Sequence, residues 1–308
     1  MTAIRGIIFD KDGTLFDFGA TWEAWAHGFL LRLTNGDRSR AKGIGLDIGY
    51  DTTRRRFDRD SVVIAGTPDE VAAALRPHFG DLDHAAVLDL INDEAKEAPQ
   101  SEATPLQPLL QRFRDDGIAL GVATNDAVEP ALTHLRAAGV ETFFDFIAGF
   151  DSGYGAKPAP GQLQAFCSAT GLPPESVIMV GDSLHDLHAG DAAGMRRVGV
   201  LTGLADEDTL RPFADAVLPH IGHLPDWIAG QREGLPKPCH RKRQDASQMG
   251  ALPWPNMRID HHVRSAKEAL HDRTRHQTPV AWRRTRRCRC PTGQRRDRTD
   301  ALESTCHH

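Results

Sequence analysis

The stretch Ile7-Ile8-Phe9-Asp10-Lys11-Asp12-Gly13-Thr14-Leu15 limits what this chain can fold into more than any other. Three consecutive apolar residues, with Ile4 before them, are the pattern of a strand buried on both faces, and here it ends abruptly in charge. The spacing predicts a strand over 4–9. Two carboxylates stand two positions apart at its end, so an extended backbone directs both toward one point beyond the sheet. Gly13 permits a sharp turn there. Open α/β sheets bind ligands beyond the carboxyl ends of their strands, which makes Asp10 and Asp12 candidate catalytic acids. The same residue types also favour ordinary turns. A calcium loop counted from Asp10 fails, because the glycine is the fourth residue rather than the sixth and the twelfth is Thr21, not glutamate.

Beyond Leu15 the apolar period becomes helical. Trp22, Ala26, Phe29, Leu30 and Leu33 make one stripe, and Asn35-Gly36 closes it. Further helical patterns cover 68–79 and 82–95. Residues 18–99 are therefore expected to form an all-helical insertion with its own small core, in which Trp22 and Trp25 pack rather than carry a ligand. After Pro105 the two periods alternate. Helices are predicted over 106–116, 128–138, 160–170 and 184–193. Strands are predicted over 118–123, 144–148, 177–180 and 197–201, with a weaker one at 216–218. Such alternation predicts the α/β class: a Rossmann-like, doubly wound parallel sheet with helices on both faces, built from residues 1–17 and 100–232 around the inserted helical cap.

Charge divides the chain at the same end. Before residue 233 there are 20 basic and 34 acidic residues, and from Glu233 to His308 there are 17 and 8. The balances of −14 and +9 make up the overall −5, so a near-neutral protein hides an acidic body and a basic tail. Only seven of the last 76 residues are Leu, Ile, Val or Phe, too few to offset chain entropy, and disorder is the expectation for 233–308. The pairs Arg283-Arg284 and Arg286-Arg287 speak for nucleic acid, but they lack an interleaved fold and adjoin an acidic body, so nucleic acid is not the expected partner. Cys239, His240, Cys288, Cys290 and Cys306 have no paired zinc-ligand spacing. Cys167 is the one thiol of the body, which suits a reducing compartment, and the cytoplasm is expected. The first apolar run meets Asp10 too soon for a signal peptide, and no run of 18 apolar residues predicts a membrane span.

Three more polar clusters fall where strands are predicted to end. Thr124-Asn125-Asp126 offers a hydroxyl, an amide and free backbone N–H groups to anionic oxygens, or else a plain helix N-cap. In Gly155-Ala156-Lys157-Pro158 the proline restricts Lys157 to an extended backbone, and a fixed lysine would balance carboxylates and hold a phosphoryl oxygen. Asp182 and Asp186 open a predicted helix four residues apart, on one face. Like charges at that spacing call for a positive neighbour, and a hard divalent cation with oxygen ligands would serve.

In this order, Asp10-x-Asp12-Gly13-Thr14, Thr124-Asn125, Lys157-Pro158 and Gly181-Asp182-x-x-x-Asp186 resemble the four motifs of the haloacid dehalogenase-like hydrolase superfamily. The resemblance spans residues 4–228 and leaves the tail aside. The insertion resembles the helical cap of the subgroup that holds phosphoglycolate phosphatases and β-phosphoglucomutases. Ile8 to Leu15 and Val180-Gly181-Asp182-Ser183 look closest to the phosphoglycolate phosphatase-like branch. The resemblance implies a phosphatase for a small phosphorylated metabolite, 2-phosphoglycolate being the first to try, with a sugar phosphomutase as the alternative. In it Asp10 is the nucleophile that forms an aspartyl-phosphate and Asp12 the acid and base. A Mg2+ ion is implied at Asp10, Asp12 (through its carbonyl), Asp182 and Asp186. Thr124 and Asn125 are implied as donors to phosphoryl oxygens, and Lys157 as the charge that lowers repulsion there. The dehalogenase branch lacks an acid at the position of Asp12, so phosphoryl transfer is expected. Arg54-Arg55-Arg56 could meet a substrate carboxylate, although a solvated charge run is the simpler reading.

Overall fold

A computed structural model describes residues 2–58 and 60–233. The expected disorder of 233–308, the arginine pairs and the thiols and imidazole from Cys239 to Cys306 therefore concern residues outside those described, Glu233 apart.

β1 (Gly6–Phe9) is followed by the insertion. This holds a π-helical turn at Gly19–Glu23, then α1 (Ala24–Leu33), α2 (Arg38–Asp47), β2 (Tyr50–Asp51), β3 (Arg56–Phe57), α3 (Val62–Ala65), α4 (Pro68–Leu75) and α5 (His84–Lys96). The chain returns through α6 (Leu106–Asp115), β4 (Ala119–Ala123), α7 (Val128–Ala137), β5 (Phe146–Ala148) and α8 (Gly161–Thr170). It ends with β6 (Val177–Gly181), α9 (Leu184–Ala192), β7 (Arg196–Val200), α10 (Glu207–Leu210), β8 (Ala216–Leu218) and α11 (Leu224–Glu233).

Six strands form one all-parallel sheet in the order β5-β4-β1-β6-β7-β8. The run of apolar residues in β1 has its reason in this order. With β4 on one side and β6 on the other, the strand is covered on both faces and paired on both edges. Phe9 stands opposite Val122 and Val180, so the three central strands end level. Ile7 and Phe9 point into one layer with Leu110, Phe113, Val180 and Leu224. Ile8 points into the other, with Leu163, Phe166, Met179 and Met195. The strand begins at Gly6 rather than residue 4, and residues 141–143 form a 3-10 turn ahead of β5.

The insertion has a separate apolar cluster, running from Phe18 to Ala98 and centred on Trp25, Leu30, Ile44, Tyr50 and Leu75. It is not all-helical. Tyr50 pairs with Phe57 and Asp51 with Arg56 in a two-residue antiparallel ladder. Tyr50 and Phe57 are buried with ring centroids 4.8 Å apart, so aromatic packing closes the hairpin. The turn is held by Asp51, whose carboxylate accepts from the backbone of Thr53 and Arg54, and Arg55 takes φ 56°. A left-handed arginine is a rare turn residue, which hid this hairpin in the sequence. Helix α1 ends as expected, with Asn35 and Gly36 both at positive φ.

The two crossings between sheet and insertion run side by side. Asp17 N donates to Ser101 O and Ala103 N to Leu15 O, around an antiparallel bridge from Phe16 to Glu102. Among the described residues no helix is long and apolar enough to cross a membrane.

Helix α8 lies close on β4 because Gly121 has no side chain. A Cβ there would come 2.6 Å from the ring of Phe166, which is fully buried and has no room to yield. Gly121→Ala is expected to lower unfolding free energy by about 1–3 kcal/mol in a denaturant titration with the m-value unchanged.

Candidate active site

The level ends of β1, β4 and β6 set the site. Asp10 follows β1 directly, and its N–H donates to Val180 O at 2.8 Å, which carries the strand pairing one step into the turn. Leu15 N and Phe16 N both return to Lys11 O, and Gly13 turns the chain with φ 78°. A Cβ on Gly13 would fall 2.5 Å from the Asp182 carboxylate, and one on Gly203 would overlap it. Glycine at these positions leaves a cradle for that side chain.

From β6 the chain enters α9 through Ser183, whose hydroxyl and N–H both donate to Asp186 Oδ2, at 2.7 and 3.1 Å. Asp186 therefore faces back to the strand end with Oδ1 free for Lys157. Lys157 Nζ lies 2.6 Å from both Asp10 Oδ1 and Asp186 Oδ1 and is only 4% exposed. Its backbone is gripped by Asn125, whose Oδ1 accepts from Lys157 N at 2.8 Å and whose Nδ2 donates to Lys157 O at 2.9 Å. The amide of Asn125 is thus turned to the neighbouring loop rather than aimed only at a ligand. The helix-cap reading of Thr124-Asn125-Asp126 does not hold, since α7 is capped by Ala127 without a side-chain bond. Thr124 Oγ1 accepts from Asp126 N and keeps its proton for another acceptor.

Asp10, Asp182 and Asp186 each offer an oxygen within 4.8 Å of the others. The Asp12 carboxylate is not part of this group. It turns the other way, accepting from Trp22 Nε1 and from Lys11 Nζ, each at 2.8 Å. Asp12 lies beyond the strand, in the turn, so the two-residue period no longer aligns it with Asp10. Still, Asp10, Asp12, Thr124, Asn125, Lys157, Asp182 and Asp186 all line one cleft. Arg54, Arg55 and Arg56 do not; all three are exposed, as a solvated run would be.

Lys11 is the feature that sequence reasoning passed over. It is fully buried, and its ammonium finds Asp12, Asp126 Oδ2 at 3.2 Å and His134 Nδ1 at 3.0 Å. Asp12 and His134 accept hydrogen bonds from it, and Asp126 adds an ion-pair contact. His134 Nε2 lies 2.9 Å from Ala95 O, which only accepts, so Nε2 carries the proton and Nδ1 is the acceptor for Lys11. Burial and the Lys11 charge push the imidazole down to about 4, consistent with this neutral tautomer. A lysine directly after a buried strand, between two acids, was the available signal.

Electrostatics show what the first cluster lacks. Burial, against Lys157 and with Asp186 and Asp12, pushes Asp10 up to about 7. Burial, then Asp10 and Asp186, hold Asp182 well above the carboxylate range. Burial alone would lower Lys157, yet Asp10 and Asp186 outweigh it and raise the ammonium. Full ionisation of these three carboxylates beside one ammonium would leave two negative charges in a buried site, which is what the raised Asp10 and Asp182 resist. A hard divalent cation with oxygen ligands fits that charge, these donors and the glycine cradle.

A family model described as haloacid dehalogenase-like hydrolase matches residues 4–194. The chain is 30% identical over 234 residues to the pyrophosphatase PpaX of Bacillus pumilus, covering 76% of this chain and 95% of that one. It is 38% identical over 234 residues to a phosphoglycolate phosphatase of Neisseria meningitidis serogroup A, covering 74% and 90%. Among solved structures, CbbY from Rhodobacter sphaeroides in complex with phosphate matches with a TM-score of 0.53 and 21% identity, over 72% of this chain and 96% of that one. At that identity the likeness is one of fold.

The raised carboxyl of Asp10 gives cation binding a pH dependence. Its protonated form favours the ion-free fold at low pH, and that contribution is lost as pH rises through about 7. Added magnesium is therefore expected to raise Tm strongly at about pH 8 and much less at about pH 5.5, where protons compete for the same oxygens. An equal shift at both would contradict this account.

Proposed function

The chain belongs to the haloacid dehalogenase-like hydrolase family, and from that premise we propose that it is a magnesium-dependent phosphatase that cleaves a small phosphomonoester through an aspartyl-phosphate. The observation that supports this reading most is the buried set of Asp10, Asp182, Asp186 and Lys157, drawn from three chain segments to one rim, where full ionisation would leave two negative charges over. Phosphatase and pyrophosphatase names among the relatives point to the same chemistry.

In this reading an oxygen of Asp10 bonds to phosphorus while the ester oxygen departs, taking a proton from Asp12. Water then attacks phosphorus, gives its proton to Asp12, and the Asp10–phosphorus bond breaks. Phosphate leaves and both acids are restored. The carboxylate of Asp12, held by Trp22 and Lys11 rather than by the metal cluster, is the group left for proton transfer. Lys157 stays charged and lowers the repulsion between Asp10 and an incoming phosphoryl group. Thr124 supplies a hydroxyl proton to a phosphoryl oxygen, and Asn125 acts chiefly by fixing Lys157. A magnesium ion held by Asp10 and Asp182, with Asp186 beside them and the Asp12 carbonyl as a further oxygen, would neutralise phosphoryl charge. Fixed donors and cations around equatorial oxygens are where acceleration of phosphoryl transfer comes from.

A panel of phosphomonoesters, including 2-phosphoglycolate, with pyrophosphate beside them, tests the reading. Phosphate release is expected to require magnesium and to fall to background in Asp10→Asn. Asp12→Asn is expected to lose about 10²–10⁴ in kcat/KM. Full activity in Asp10→Asn, or an isomerised sugar phosphate in place of free phosphate, would rule the proposal out.

A further inference from the structure

The cleft has two walls of different chemistry. The sheet side carries the acids, Lys157, Thr124, Ser183 and His185. The opposite wall comes from the insertion, and every described residue it contributes is apolar, among them Phe18, Trp22, Trp25, Ile64, Val71 and Ile91. Its polar atoms are already engaged. Trp22 Nε1 donates to Asp12 and Trp25 Nε1 to Glu94 O at 2.9 Å, so neither indole offers a donor to a ligand. The two buried lysines of the site are committed to carboxylates. The arginine run that could have met a substrate carboxylate lies exposed elsewhere.

A phosphoryl group seated against Asp10 directs its ester oxygen toward Asp12, and hence the esterified group toward the wall that Trp22 belongs to. We propose that the alcohol part of the preferred substrate is apolar, a hydrocarbon or aromatic group, rather than a carboxylate or a sugar. This rests on the phosphatase reading of the same site. Among the described residues that wall offers a carboxylate no donor, so a carboxylate placed there gives up its water uncompensated, which is strongly unfavourable. An apolar ring loses nothing and buries area against Trp25, Val71 and Ile91. Ile64 and Val63 are half-buried on the short helix α3, so the apolar surface extends to the mouth of the cleft.

Benzyl phosphate and 2-phosphoglycolate separate the cases, because both release a primary alcohol and differ in what that alcohol carries. The full chain with magnesium is expected to show kcat/KM about tenfold or more higher for benzyl phosphate. Equal or higher kcat/KM for 2-phosphoglycolate would overturn the inference. Ile64→Arg, whose long side chain can reach solvent, is expected to narrow or invert that ratio, and an unchanged ratio counts against the inference. Binding without turnover decides independently of folding or chemistry in any variant. Benzylphosphonate should bind magnesium-loaded wild type more tightly than phosphonoacetate in calorimetry, and the reverse order would overturn the proposal. If no ester is hydrolysed, the phosphatase reading fails, while the phosphonate order still decides this one.

Discussion

Three buried carboxylates crowded around one ammonium are the constraint on which the rest of the site depends. Asp10, Asp182 and Asp186 are each at most 7% exposed, and Lys157 balances only one of them. Carboxylates this close and this buried resist ionising together without further positive charge among them. The parallel sheet supplies the rigidity such an arrangement needs, because its three central strands are paired on both edges and end level. Side chains on rigid elements hold their geometry better than side chains on loops.

A second buried lysine repeats the logic with a different result. Lys11 is balanced by Asp12 and Asp126, and its ammonium also hydrogen-bonds a neutral His134. The consequence is a division of labour between two acids only two residues apart. Asp10 belongs to the buried cluster with Asp182 and Asp186, and Asp12 is anchored by a lysine and an indole from the insertion. Trp22 thus joins the small core of the insertion to Asp12 through the one polar atom of its side chain.

Much of this was legible in the sequence. The doubly wound sheet followed from apolar strands alternating with helical periods, and the four polar clusters at strand ends marked the cleft. Residues 10, 12, 124, 125, 157, 182 and 186 all line it. What escaped depends on side-chain direction, which spacing alone does not carry. Asp12 left the line of Asp10 because the strand period stops at Phe9. Asn125 turned to the backbone of Lys157, a residue 32 positions away, and Lys11 found His134 at a separation of 123. The hairpin at Tyr50 and Phe57 was hidden by a left-handed arginine where a glycine would have announced it.

The paired crossings at Asp17–Ser101 and Leu15–Ala103 bring entry to and exit from the insertion to neighbouring points on the sheet. Anything spliced between those points inherits a fixed doorstep beside Asp10 without lengthening or straining the strands beneath. The scaffold is modular at one seam: the insertion can be exchanged as a cassette over evolutionary time, while the acid-bearing rim keeps its place.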